Sequence, residues 1–175
     1  ENKAQETKKK ISNYILNPKT KLCLIGHLQS NKAPLAVNLY NIIQSVDSIK
    51  ILNKLNRSAQ KQNKIQQVFL QINITNTPTQ TGFKEEEIMM AAEHAQTLPF
   101  IQTIGVMAIG ANTLNEKKSK QTFKKTRKIQ QAIRRKINPK CKELSIGMSG
   151  DYLWALQEGS TQLRLGTALF KKRNE

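Results

Sequence analysis

Cysteine is nearly absent. Only Cys23 and Cys141 occur in 175 residues, each alone inside an apolar stretch, "LCLIG" and "CKELSIG". With neither C-x-x-C spacing nor a histidine cluster, no zinc site is expected, and reduced, buried thiols of a cytoplasmic protein are. Long apolar runs are missing as well. None approaches the roughly 20 residues of a membrane-spanning helix, so no membrane partner is expected. No signal-peptide pattern is visible, although the opening "ENKAQE" has no methionine and leaves targeting open. Acids are scarce too, 12 against 29 Lys and Arg, for a formal charge of +17. Such a surplus fits a nucleic-acid binder. The cations, however, gather on helix faces, most densely in "NEKKSKQTFKKTRKIQQAIRRKI" (115–137). There Phe123, Ile129, Ile133 and Ile137 keep helical spacing and leave the charge on a solvated face. No specific nucleic-acid partner is expected.

What is present is a regular alternation. The chain is long enough for one domain, 1–175, with a real core, and its 38% apolar residues are clustered. An opening helix, "NKAQETKKKISNYIL", is followed by a strand at 21–26 and a helix at 31–40. Strands at 41–48, 66–75, 101–109 and 142–148 then alternate with helices at 49–64, 84–98, 115–137 and 150–159. A last strand, "TQLRLGTALF" (161–170), closes the chain. This order predicts parallel βα units. A TIM-type barrel and an open doubly wound sheet both fit, and against a complete barrel of eight strands and ~250 residues the chain is short by roughly two units.

The closing stretch also poses a chemical question. Alternation puts Leu163 and Leu165 on one face of the strand and Gln162, Arg164 and Gly166 on the other. An arginine in a short apolar strand calls for an anion or another polar partner. The last two strands end in Ser149-Gly150 and Gly166-Thr167, where barrels often hold phosphate in adjacent loops. Backbone amides and hydroxyls there would form a phosphate cup, with the start of the 150–159 helix adding its free N–H groups. The plainer alternative makes Ser149 or Asp151 a helix N-cap.

The segments "LIGHLQSNK", "QINIT", "GVMAI" and "LSIGMSGDYLWALQEGSTQLRLGTALF" strongly resemble the pyridoxal-phosphate homeostasis family, YggS/PROSC. The likeness covers nearly the whole chain in order. It implies an α/β fold, a TIM-type (β/α)8 barrel of the alanine racemase N-terminal-domain type (fold type III), here lacking roughly its first two strands. It further implies non-covalent capture of the pyridoxal 5′-phosphate group at Ser149, Gly150, Gly166 and Thr167. Asn2 would line the site, and Arg164 would face the pyridine nitrogen. A permanent guanidinium there disfavours a protonated ring and hence carbanion chemistry. The implied role is a monomeric carrier that sequesters the cofactor and delivers it to pyridoxal-phosphate-dependent apoenzymes. The alternatives are an alanine-racemase-like enzyme and an inactive, truncated remnant.

Three departures from the family stand out. Its Schiff-base lysine lies upstream of the segment matching "ENKAQE", so no catalytic residue is assigned; Lys32 is a conceivable substitute, and His27 is expected to be a neutral loop histidine. The family lysine before the glycine of "TPTQTGF" is replaced, giving Gln80-Thr81-Gly82, and Lys171 stands where a glycine is usual. Without two strands, the first and last remaining strands are expected to expose apolar edges. A partial record or a truncated gene is the expectation that follows.

Overall fold

Strand β3 (Gln66–Ile72) sets the frame, because its run "QQVFLQI" is buried on both faces, as the centre of a parallel sheet requires. The computed structural model describes residues 1–13, 16–111 and 115–170. In chain order the elements are α1 (Ala4–Ile11), β1 (Cys23–Leu24), a 3₁₀ turn (Ser30–Lys32), α2 (Ala33–Leu39), β2 (Ile42–Val46), α3 (Ile49–Lys61) and β3. They continue with α4 (Ile88–Gln96), β4 (Ile101–Ala108), α5 (Glu116–Lys136), β5 (Glu143–Met148), α6 (Tyr152–Gln157) and β6 (Gln162–Arg164). All six strands are parallel and lie in sequential order in one sheet.

The sheet curls. Gln44 on β2 donates from Nε2 to Oε1 of Gln162 on β6 at 2.6 Å, although β3, β4 and β5 lie between their strands in the sheet. Its concave face carries a small apolar cluster of Ile42, Phe69 and Met107. On the convex face a much larger core joins Leu24, Ile43, Val68, Leu70, Val106, Leu144 and Ile146 to the helices. Sequential strand order without reversal, together with a curl that brings β2 within hydrogen-bond reach of β6, identifies six strands of a (β/α)8-type barrel and excludes the open doubly wound sheet, whose strand order reverses.

The helices follow from their patterns. Ser48 caps α3, its hydroxyl accepting from Ile51 N–H, and Ile51, Leu52, Leu55 and Ala59 form the buried stripe. In α5, Asn115 caps through Lys118 N–H while Phe123, Thr126, Gln130 and Ile133 face inward, so the cations do lie on the solvated side. Lys120 pairs with Glu116 at 2.6 Å and Arg127 with Glu158 at 3.3 Å. The Lys64 ammonium donates to the carbonyls of Val37 and Tyr40 at 2.6 and 2.8 Å, closing the C-terminal end of α2.

Several boundaries differ from the sequence expectation. The acids Glu85–Glu87 precede α4 in a turn, where Lys84 N–H donates to Glu87 Oε2, instead of filling its first turn. Helix α1 ends at Ile11, and Tyr14 and Ile15 of the expected opening helix lie outside the described residues. Strand β1 has two residues and β6 only three. After Arg164 the chain turns, with Leu169 and Phe170 N–H both donating to Gly166 O. An edge strand with one partner gains half the ladder of a central strand, and glycine at 166 does not sustain it.

Cys141 is fully buried, and desolvation pushes its thiol up to about 12 from 9.0. The folded state therefore keeps a proton that the unfolded chain loses above pH 9. Stability is expected to fall between pH 9 and 12, by at most ~4 kcal/mol at about 1.4 kcal/mol per unit. Urea unfolding across that range checks it. Cys141→Ala should remove this share of the slope, and an unchanged slope in the variant would refute it. Among the described residues, no helix is long and apolar enough to cross a membrane, and no group of three or more His, Cys, Asp or Glu side chains could hold a metal ion.

Candidate functional site

The C-terminal ends of β5 and β6 meet through one hydroxyl. Ser149 Oγ accepts from Gly166 N–H at 3.1 Å and from Ala168 N–H at 3.2 Å. Two amides converging on one oxygen form a concavity of the kind that accepts anions. Above Gly150 and Gly166 the space is open, and a Cβ on either would meet nothing within 4 Å. Thr167 lies between the two converging amides and is exposed. The first turn of α6 contributes less than the sequence suggested, since α6 starts at Tyr152. Asp151 precedes it without capping it, and its carboxylate instead accepts from Met148 N–H at 2.6 Å.

Arg164 closes the inner side of this site. Its Nη1 donates to Ser145 O and Oγ at 2.9 and 2.8 Å, and its Nη2 to Ala108 O at 2.9 Å. The guanidinium thus spans from β6 across β5 to the end of β4. All three acceptors are neutral, and it forms no salt bridge among the described residues. Desolvation lowers its pKa to about 10, with the field of Asp151 opposing. It remains a cation at neutral pH.

Asn2 sits at the other edge of the curl. Glu1 pairs beside β1, its amino group donating to Cys23 O and its carbonyl accepting from Ile25 N–H, both at 2.9 Å. The Asn2 backbone then crosses Gly26 so closely that a Cβ there would lie 2.2 Å from Asn2 O. Asn2 is therefore at the C-terminal end of β1, while the other expected site residues gather at β5 and β6. Lys32 lies in the 3₁₀ turn at that same end, half-buried. His27 has a partner that the sequence did not suggest: its Nδ1 lies 3.0 Å from Asp47 Oδ2. In the loop after β3, Gln80 Oε1 accepts from the Thr75 hydroxyl at 3.0 Å where the family lysine is absent. Lys171 lies outside the described residues.

Three participants escaped sequence reading: Ser145, the Ala108 carbonyl and Gln44. Ser145 and Gln44 carried a partial signal, as polar residues within the largely apolar runs of β5 and β2. Most polar side chains in a doubly buried strand find a partner, although the buried Ser45 hydroxyl beside Gln44 has none among the described residues. The carbonyl carried none.

A curled parallel sheet with helices on its convex face, whose last two loops meet at the strand ends, belongs to the βα-barrel class. The sequence profile of "Alanine racemase, N-terminal domain" matches residues 4–174. The chain belongs to that family and, within it, to the pyridoxal-phosphate homeostasis proteins. It is 37% identical over 149 residues to the pyridoxal phosphate homeostasis protein of Synechocystis sp., covering 85% of this chain and 68% of that protein. Its counterpart in Haemophilus influenzae is 34% identical over 151 residues, covering 86% and 64%. The chain thus spans about two thirds of the length of these relatives. Among solved structures, PipY of Synechococcus elongatus without PLP superposes with a TM-score of 0.91 at 30% identity, covering 97% of this chain and 79% of PipY. PipY with PLP bound gives 0.87 at the same identity and coverage. Alanine racemase of Clostridium difficile, at 15% identity and TM-score 0.76, shares the fold.

Proposed function

We propose that this chain binds pyridoxal 5′-phosphate for intracellular vitamin B6 homeostasis, sequestering and delivering the cofactor instead of turning substrates over. The observation that carries this reading is the pair of amides, Gly166 and Ala168 N–H, aimed at one oxygen beneath open space. Family membership and the PLP-bound PipY structure support it. Ser149, Gly150, Gly166 and Thr167 would hold the phosphate, Asn2 would line the far side, and Arg164 would stand at the pyridine nitrogen. When bound, the cofactor supplies an aldehyde and, if its ring is protonated, an electron sink. Arg164, a cation on neutral oxygens, opposes that protonation, and this favours a carrier over an enzyme. The reading includes one domain over 1–175, a monomer, a cytoplasmic setting and apoenzymes as recipients.

Equilibrium titration with pyridoxal phosphate, pyridoxal and inorganic phosphate tests it. Pyridoxal phosphate should bind at least tenfold more tightly than pyridoxal. Ser149→Ala should weaken it about tenfold, as expected for one or two hydrogen bonds of ~0.5–1.5 kcal/mol each. Equal affinity for pyridoxal and its phosphate would end the proposal. Added alanine should exchange no more α-proton with D₂O than free cofactor allows; faster exchange would make the chain an enzyme.

A further inference from the structure

We propose that Gln44, on β2, is the positioning residue for Arg164, acting through Ser145 and adding no carboxylate of its own beside the arginine. The inference rests on the cofactor reading above for its consequence, but the relay itself is read from side-chain geometry. Gln44 is 3% exposed and Ser145 is fully buried. The Ser145 hydroxyl donates to Gln44 Oε1 at 2.7 Å, and Gln44 Nε2 donates to Gln162 Oε1 at 2.6 Å. A serine hydroxyl has one proton. With that proton directed to Gln44, the lone pairs of Ser145 Oγ are left for Arg164 Nη1, 2.8 Å away.

These bonds close a ring. Gln162 precedes Arg164 by two residues on the same face of β6, so the path runs Gln44, Ser145, Arg164 and back through β6 to Gln162. Each member restricts the next. Gln162 takes the Gln44 amide nitrogen, which turns the Gln44 oxygen toward Ser145, and this sets the serine rotor. The two register pairs that join β6 to the sheet, Ser145 with Gln162 and Met148 with Arg164, lie on either side of a shift. The relay supplies from across the curl what this short ladder lacks. A leucine at position 44 would free the serine proton to compete with the guanidinium. A glutamate would keep the acceptor but place a carboxylate two hydrogen bonds from Arg164, cancelling much of its field. A neutral amide gives order without adding to the field of Asp151, which already reaches the cation.

Two measurements test the relay. In the ligand-free protein, the side-chain ¹H–¹⁵N signals of Arg164 should exchange with solvent at least tenfold faster in Gln44→Leu than in wild type, while in Gln44→Glu they stay protected. Equal exchange in all three proteins overturns the relay whether or not the cofactor binds. The second measurement uses 4-deoxypyridoxine 5′-phosphate, which keeps ring and phosphate but has no aldehyde, and whose ultraviolet spectrum reports ring-nitrogen protonation. Bound to wild type, its ratio of protonated to neutral ring should fall about tenfold below that of the free probe. In Gln44→Glu the ratio should recover by a similar factor. A ratio identical in wild type and Gln44→Glu overturns the electrostatic part of the proposal. Failure of wild type to bind the probe at all overturns the cofactor reading, and with it this consequence.

Discussion

Gly147→Ala is expected to destabilise the fold by about 3 kcal/mol or more, among the larger effects a single substitution produces. Gly147 has φ +91°, a conformation that side chains rarely adopt, and a Cβ there would lie 2.4 Å from Ala155 Cβ and 3.1 Å from Leu163 Cδ2. Backbone strain and overpacking add at one position, each of order 1–3 kcal/mol. The close approach exists because α6 is seated directly on β5, and that seating aims the Ser149 loop at β6. Urea unfolding measures the loss. Ala155→Gly in the same chain should recover the steric part and leave the strain. A Gly147→Ala protein as stable as wild type would show that α6 packs elsewhere.

The architecture was legible wherever one physical signal dominated. Alternating apolar runs and amphipathic stretches gave all six strands and six helices in order, because burial against a sheet leaves a periodic trace. The ends were less legible. For β6, the pattern of "TQLRLGTALF" promised ten residues of strand, and the sheet uses Gln162–Arg164. A strand at an edge is limited by what its one neighbour offers, which its own sequence does not record. The same holds for Arg164. Its need for polar partners was readable, but the partners are a serine, a distant carbonyl and, behind them, Gln44, and they are brought together by curvature instead of spacing.

Curvature also bears on the edges expected to be open and apolar. The described edge strands are the shortest in the sheet, two and three residues, and Glu1 occupies part of the β1 edge through two backbone hydrogen bonds. Short edges limit the template available for intermolecular pairing. Among the described residues the most exposed large apolar side chains are Leu169 and Phe170, just beyond β6, at 69% and 70%. Both side chains follow closely on Gly166 of the candidate site.

Gly166→Asp is expected to separate fold from ligand. Unlike Gly147, Gly166 has no left-handed backbone to accommodate, and a Cβ there meets nothing within 4 Å. Neither strain nor packing explains a glycine at this position, and surface changes of that kind cost within about 0.5 kcal/mol. What the glycine leaves is room over amides that already converge on Ser149 Oγ. An aspartate would put a carboxylate into that room, where it can accept from the amides itself and repel a phosphate dianion. Displacement and repulsion together should lower pyridoxal phosphate affinity about a hundredfold, equivalent to ~2.7 kcal/mol, with the unfolding midpoint unchanged. Gly166→Ala, adding only a methyl group, should cost much less, and Gly166→Asn should fall between them because it fills the space without charge. That ordering separates charge from bulk. If Gly166→Asp binds the cofactor as wild type does, the phosphate site lies elsewhere. If it unfolds the protein, Gly166 serves the fold after all.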